Sequence, residues 1–174
     1  VVGTSGSGKS RLGAAAARRL GIPHLQLDSI HHLAGWQQAP DQEFLAALDR
    51  FVTGPGRDGW VIDGNYQSRT GHLEPDLVVW LDHPRGLVMA QLVGRTLRRG
   101  VRREELWNGN RERPRTWLSR DPEQNIVLWA WVTHGRYRAG YEAAMAAAAV
   151  PWVRLSGRRA VRRWLDGLGP GPSA

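Results

Sequence analysis

The eight residues Gly3-Thr4-Ser5-Gly6-Ser7-Gly8-Lys9-Ser10 constrain this chain more than any other feature. Their spacing, G-x-x-x-x-G-K-S, is that of a phosphate-binding loop, and the spacing has a mechanism. Glycines let the backbone curl until its N–H groups point inward at phosphate oxygens, and the positive end of the following helix adds to the attraction. The Lys9 ammonium reaches the β- and γ-phosphates in such a loop, and the Ser10 hydroxyl ligates Mg²⁺. Gly3, Ser5, Gly6, Ser7, Gly8, Lys9, Ser10 and Arg11 are therefore the candidate residues for binding ATP. Lysine usage sharpens the assignment: of 24 basic residues, 23 are arginine and Lys9 is the only lysine. A position that keeps lysine in so arginine-rich a chain needs a compact ammonium on a flexible stem, which guanidinium does not imitate.

A loop of this kind sits between a buried strand and a helix, and the rest of the chain supplies more of both. Arg11 to Leu20 reads as a helix stopped by Gly21-Ile22-Pro23. His24 to Asp28 reads as a strand, Asp41 to Val52 as a helix after Pro40, and Trp60 to Asp63 as a strand bounded by Gly54-Pro55-Gly56 and Asp58-Gly59. Leu77 to Leu81 repeats the apolar strand pattern and ends at Asp82. A helix is expected over Gly86 to Arg99, a polar arginine-rich segment from Gly100 to Glu123, and a long helix over Asn125 to Ala149. Trp152 to Leu155 is a last strand, Arg158 to Leu168 a last helix, and Gly169 to Ala174 a flexible tail. Val1-Val2 falls short of the about five residues a buried first strand takes, so a clipped start is expected. Alternating short apolar strands and helices argue for an α/β fold with a parallel sheet. Ligands in such sheets lie at the carboxyl ends of strands, where Gly3, Asp28, Asp63 and Asp82 all fall.

The length of 174 residues fits a single domain, 1–174. No apolar run approaches the ~18 to 20 residues of a membrane span, no signal peptide is expected, and the sequence has no cysteine. A cytoplasmic protein without disulfides or thiolate metal sites is the expectation. The formal charge of +8 points to anionic partners and does not choose among nucleotide, nucleic acid and phosphorylated metabolite.

Two carboxylates fit roles around the phosphate loop. Asp63, closing an apolar strand, is the candidate that holds Mg²⁺ together with Ser10. Asp28, at the end of the second strand, is the candidate general base or acceptor-orienting group, since a carboxylate can both accept a hydroxyl's hydrogen bond and take its proton. The adjacent His31 and His32 suit acceptor contact less well than a solvent-facing loop. Trp36 either stacks on an acceptor ring or wedges the chain around it onto the core.

Leu27-Asp28-Ser29-Ile30-His31-His32, Gly35-Trp36, Trp60-Val61-Ile62-Asp63-Gly64-Asn65-Tyr66 and Trp80-Leu81-Asp82-His83-Pro84-Arg85 resemble the adenylate-kinase-related P-loop proteins described as DNA topology modulation proteins. The resemblance covers nearly the whole chain. It implies a P-loop nucleotide kinase-like three-layer fold with a five-stranded parallel sheet, an acceptor-side insert at 29–58 and an arginine-rich lid at 100–123. It also implies acceptor-side roles for Asn65, Tyr66 and Arg69, and an adenine-side loop at Ser156-Gly157. Eleven arginines lie between Arg95 and Arg138. In related kinases this region supplies arginines to the transferring phosphoryl group, which makes Arg95, Arg99, Arg136 and Arg138 the candidates, with Gly100 and Gly109 as lid hinges. The sequence departs from the family at Arg11, where these loops usually carry threonine. The function expected is ATP-dependent transfer of the γ-phosphoryl group to a small acceptor, nucleotide-like or a hydroxylated metabolite. The alternative is a nucleotide-regulated nucleic-acid-binding protein, although no helix-turn-helix, zinc-finger or RNA-recognition motif is present.

Overall fold

The computed structural model describes residues 1–102, 104–111, 119, 121 and 125–169. Part of the lid expected at 100–123, including Arg103, Arg113, Arg115 and Arg120, and the tail beyond Gly169 lie outside the described residues. Five strands are β1 (Val2–Gly3), β2 (His24–Gln26), β3 (Val61–Asp63), β4 (Val78–Leu81) and β5 (Trp152–Leu155). The helices are α1 (Lys9–Leu20), α2 (Leu27–His31), α3 (Asp41–Thr53), α4 (Gln67–Thr70), α5 (Arg85–Arg102), α6 (Ile126–Ala147) and α7 (Gly157–Asp166). The α/β class and the parallel pairing agree with the sequence reading.

The five-stranded sheet does not form. The strands make two parallel sheets instead, one ordered β1-β4-β5 and one made of β2 and β3. The reason lies in β1, which is two residues long. It pairs with β4, Val2 opposite Trp80 and Gly3 opposite Leu81. Toward β3 only Val1, ahead of the strand, makes backbone bonds, donating to Ile62 O at 2.7 Å and accepting from Gly64 N at 3.2 Å. Two bonds at one residue tether the sheets without a ladder between them.

Burial follows the apolar pattern. Val79, Trp80 and Leu81 of β4 are buried, as expected of a parallel strand covered on both sides. Leu12, Val79, Leu81 and Leu155 form one core cluster, against which Val161, Trp164 and Leu165 of α7 pack. Leu27, Ala39, Phe44, Leu48 and Ile62 form a second, at the insert expected over 29–58. Among the described residues no helix is long and apolar enough to cross a membrane.

Two boundaries differ from the sequence reading in ways that matter for the site. The strand expected to run to Asp28 ends at Gln26, and Asp28 lies in the first turn of α2. Leu27 turns into the insert core while the Ser29 hydroxyl donates to Gln26 O at 2.7 Å, drawing the backbone out of the ladder. Gly100, expected as a hinge, lies inside α5. That helix is held at its end by Glu104, whose N–H donates to Arg99 O and whose carboxylate meets Arg98 at 3.3 Å and Arg99 at 3.9 Å. Gly109 does occupy a turn conformation, with φ of 76°.

Candidate active site

The phosphate loop joins β1 to α1. Gly6 has φ of 84°, and a Cβ there would lie 2.8 Å from Leu92 Cβ of α5, so the turn admits only glycine. Ser7 N donates to Thr4 O at 3.1 Å, which closes the curl, and Gly8 caps α1 with φ of 94°. The first turn of α1 contains no acid, leaving the positive helix end unopposed by a side chain of its own. Ser7 Oγ is buried inside the loop with no hydrogen-bond partner. An orphaned buried hydroxyl at this position fits a loop that holds an oxyanion.

Lys9 leans back over the loop, its Nζ donating to Gly3 O at 2.9 Å and Thr4 O at 3.2 Å. Burial pulls the ammonium below its ordinary value; Asp28 and Asp63 oppose that shift and Arg95 adds to it. The charges of Asp28, Asp63 and Arg95 therefore all converge on Lys9. Ser10 Oγ donates to Asp63 Oδ1 at 2.9 Å, so the hydroxyl and the carboxylate expected to hold Mg²⁺ are brought together from elements 53 residues apart. One carboxylate and one hydroxyl suit Mg²⁺, which keeps several waters and takes phosphate oxygens for the rest of its octahedron.

The other Asp63 oxygen is held by a residue that the sequence reading missed. His24 Nε2 lies 2.7 Å from Asp63 Oδ2. The ring fits because α1 carries Gly13 beside it: a Cβ on Gly13 would stand 2.5 Å from His24 Nε2. An isolated glycine inside a helix was the available signal, since it costs about 1 kcal/mol against alanine and usually marks a close approach. Gly13→Ala is expected to lower unfolding stability by about 1 kcal/mol. The gain in helix propensity, about 1 kcal/mol, is outweighed by loss of a charge-assisted bond worth about 1.5 to 3 kcal/mol. Urea denaturation of the two proteins measures this; a more stable variant would refute the packing argument.

Among the residues expected to contact an acceptor, Tyr66 OH donates to Asp28 Oδ1 at 2.8 Å. Burial first, and then the neighbouring Asp28 carboxylate, push the Tyr66 hydroxyl well above its ordinary range, so it remains a donor. Arg69 donates to His31 Nδ1 at 3.1 Å, pairs with Asp41 at 2.6 Å and lies over the Phe44 ring. Asn65 ties elements together: its Oδ1 accepts from Tyr141 OH at 2.8 Å and from Gly3 N at 3.4 Å. Trp36 faces neither Lys9 nor Asp28 in its polar contacts; its N and Nε1 donate to Asn110 Oδ1 and Arg111 O.

The arginines divide. Arg95 stands close enough to Lys9 for their charges to interact, one turn along α5 from Gln91, whose Oε1 faces Gly8. Arg99 is drawn to Glu104, Arg138 to Asp82 at 3.5 Å and Glu142 at 3.6 Å, and Arg136 to the faces of Trp129 and Tyr137. Arg11 is exposed on α1. Ser156 and Gly157 follow β5 at the carboxyl edge of its sheet, and Gly157 N donates to His83 Nδ1 at 3.1 Å.

His31 and His83 each accept a hydrogen bond at Nδ1 from a group that can only donate, which requires the neutral ring. Burial lowers both below the ordinary 6.5, helped by Arg69 and His32 at His31 and by Arg158 at His83. The unfolded chain then takes up protons first, so these two groups contribute fully above pH 6.5 and their contribution fades as pH falls below it. The urea midpoint is expected to drop between pH 7.5 and pH 5.5; a midpoint that rises on acidification would contradict the assignment.

No family model matches this chain, and no curated protein matches it.

Proposed function

We propose that this protein is an ATP-dependent phosphotransferase that moves the γ-phosphoryl group of ATP to the hydroxyl of a small acceptor. One observation carries the reading: Ser10, next to Lys9 in the loop, donates to Asp63, and the charge of Asp28, which accepts from Tyr66, acts on the same Lys9 ammonium. Phosphoryl transfer asks a protein for positioning and charge stabilisation more than for covalent chemistry, and these residues divide that work.

The glycine loop and the N-terminus of α1 bind the phosphates through backbone N–H groups. Lys9 turns from the Gly3 and Thr4 carbonyls to the phosphate oxygens and offsets their charge. Ser10 and Asp63 would hold Mg²⁺, which would supply positive charge to the phosphates. His24 keeps Asp63 oriented toward Ser10. Asp28, fixed at one oxygen by Tyr66, orients the acceptor hydroxyl and takes its proton as the oxygen attacks. Arg95, whose charge acts on Lys9, meets charge developing on the transferring group. An ATP donor and a chain without cysteine suit the cytoplasm.

The test is ADP release from MgATP across a panel of nucleosides, nucleoside monophosphates and hydroxy acids. At least one compound is expected to raise release above that in water alone. A protein that fails to bind MgATP, yet binds duplex DNA tightly near physiological salt, would replace this reading with the nucleic-acid one.

A further inference from the structure

Helix α7 is written in pairs: Arg158-Arg159, Ala160-Val161, Arg162-Arg163, Trp164-Leu165. A helix turns by about 100° per residue, so pairs four residues apart fall on one side and the sequence makes two faces. Ala160, Val161, Trp164 and Leu165 pack against the core of Leu12, Val79, Leu81 and Leu155. The four arginines are all exposed. From Arg158 to Arg163 they cover about 7.5 Å of helix axis, on a helix that also holds down one side of the phosphate-loop sheet.

The helix gains nothing for itself from this arrangement. Arg158 and Arg159 stand in its first turn, at the positive end of the dipole, where an acid would stabilise it and none is present. Arg158 and Arg162, and again Arg159 and Arg163, are like charges four residues apart, which repel along a helix surface. The one acid of the helix, Asp166, follows Arg162 by four residues but pairs with Arg19 of α1 at 2.9 Å. Among the described residues none of the four arginines meets a carboxylate. Composition does not account for the concentration: the whole chain has 16 acids to its 24 bases, and these ten residues have one acid to four. A segment that sets aside its own local rules in this way is the mark of a functional surface.

We propose that the arginine face of α7 is an interaction surface for nucleic acid, which it engages through the phosphate backbone. The outer side of a helix is convex, and small anions are held in concave sites, so a free phosphate or nucleotide is not its occupant. Helices that lie on membranes sink an apolar face into the lipid, and that of α7 is spent on the core; the exposed large apolar side chains are Leu77, Val93, Leu97, Trp131 and Val132, none of them on α7. A polymer with a charge at every step suits a convex row of guanidinium groups, each of which bonds two phosphate oxygens at once. This surface shares no residue with the Lys9, Ser10, Asp28 and Asp63 site, and the inference does not depend on the phosphotransferase reading.

The experiment measures binding of a short mixed-sequence DNA duplex to the whole chain by fluorescence anisotropy across a salt series. Wild type is compared with the double variant Arg159→Gln, Arg163→Gln. Arg158 is left in place because it flanks Ser156 and Gly157. A control, Arg50→Gln with Arg57→Gln, removes the same charge from exposed positions on and after α3. The slope of log affinity against log salt is expected to become shallower by about 1.8 in the α7 variant, two phosphate contacts at about 0.9 each, and to stay as in wild type in the control. The urea midpoint of the α7 variant is expected to hold or rise, since a like-charge pair is removed and glutamine keeps the helix. Equal losses in variant and control would assign the binding to the overall charge of +8 and overturn the proposal. So would a wild-type chain that does not bind the duplex, an α7 variant with the wild-type slope, or an α7 variant with a lowered urea midpoint, which would give the arginines to the fold. Tighter binding to vesicles of anionic phospholipid than to the duplex, lost in the same variant, would also overturn it, in favour of a membrane surface.

Discussion

Lys9→Ala is expected to lower ADP release by about 10²- to 10³-fold, the scale on which removal of one preorganised charge-stabilising donor acts. The fold should survive, because Nζ bonds only to the loop carbonyls of Gly3 and Thr4 and no packed core depends on it. MgATP affinity should weaken as well, since the ammonium offsets charge on the ground-state phosphates. Lys9→Arg is the more demanding comparison in a chain that uses arginine at its other 23 basic positions. A planar guanidinium does not fit beneath a loop whose carbonyls lie about 3 Å from a point charge, and it brings five donors where three suffice. No rescue of turnover is expected. An arginine variant with wild-type turnover would mean that Lys9 is retained for a reason other than phosphate contact.

Asp28→Asn is expected to leave MgATP binding unchanged and to reduce transfer to the acceptor by about 10²-fold, the lower range for a positioned general base. Asparagine preserves the acceptor oxygen that Tyr66 donates to, so the local structure around α2 is held while the ability to take a proton is lost. The substitution also removes a negative charge facing Lys9. For that reason MgATP affinity is measured beside turnover: a fall in both would assign Asp28 to the electrostatics of Lys9, and a fall in turnover alone to the acceptor. Unchanged turnover with saturating acceptor would leave Asp28 as a partner of Tyr66 only.

These expectations divide between what neighbouring residues settle and what distant ones settle. The turn from Gly3 to Ser10 and the helix start after it were legible because spacing, glycine φ and the start of a helix are all local. The helices over Asp41–Thr53 and Ile126–Ala147 were legible for the same reason, since their apolar spacing and their stops are set within a few residues. Asp63 stood out as the end of an apolar run, and the fold brings it to Ser10.

Sequence by itself thus determined the α/β class, the loop and the carboxylate beside it. Tertiary structure decided the rest. The split into two sheets depended on whether a two-residue β1 could ladder on both sides, a matter of pairing between strands some 60 residues apart. The placement of Asp28 on a helix turned on Leu27 finding the insert core and Ser29 taking the Gln26 carbonyl. His24 reached Asp63 across 39 residues through the space left by Gly13, and Asn110 reached Trp36 across 74. Such bonds leave no periodic trace in a sequence, because each needs one donor, one acceptor and a shape that only the folded chain brings within about 3 Å.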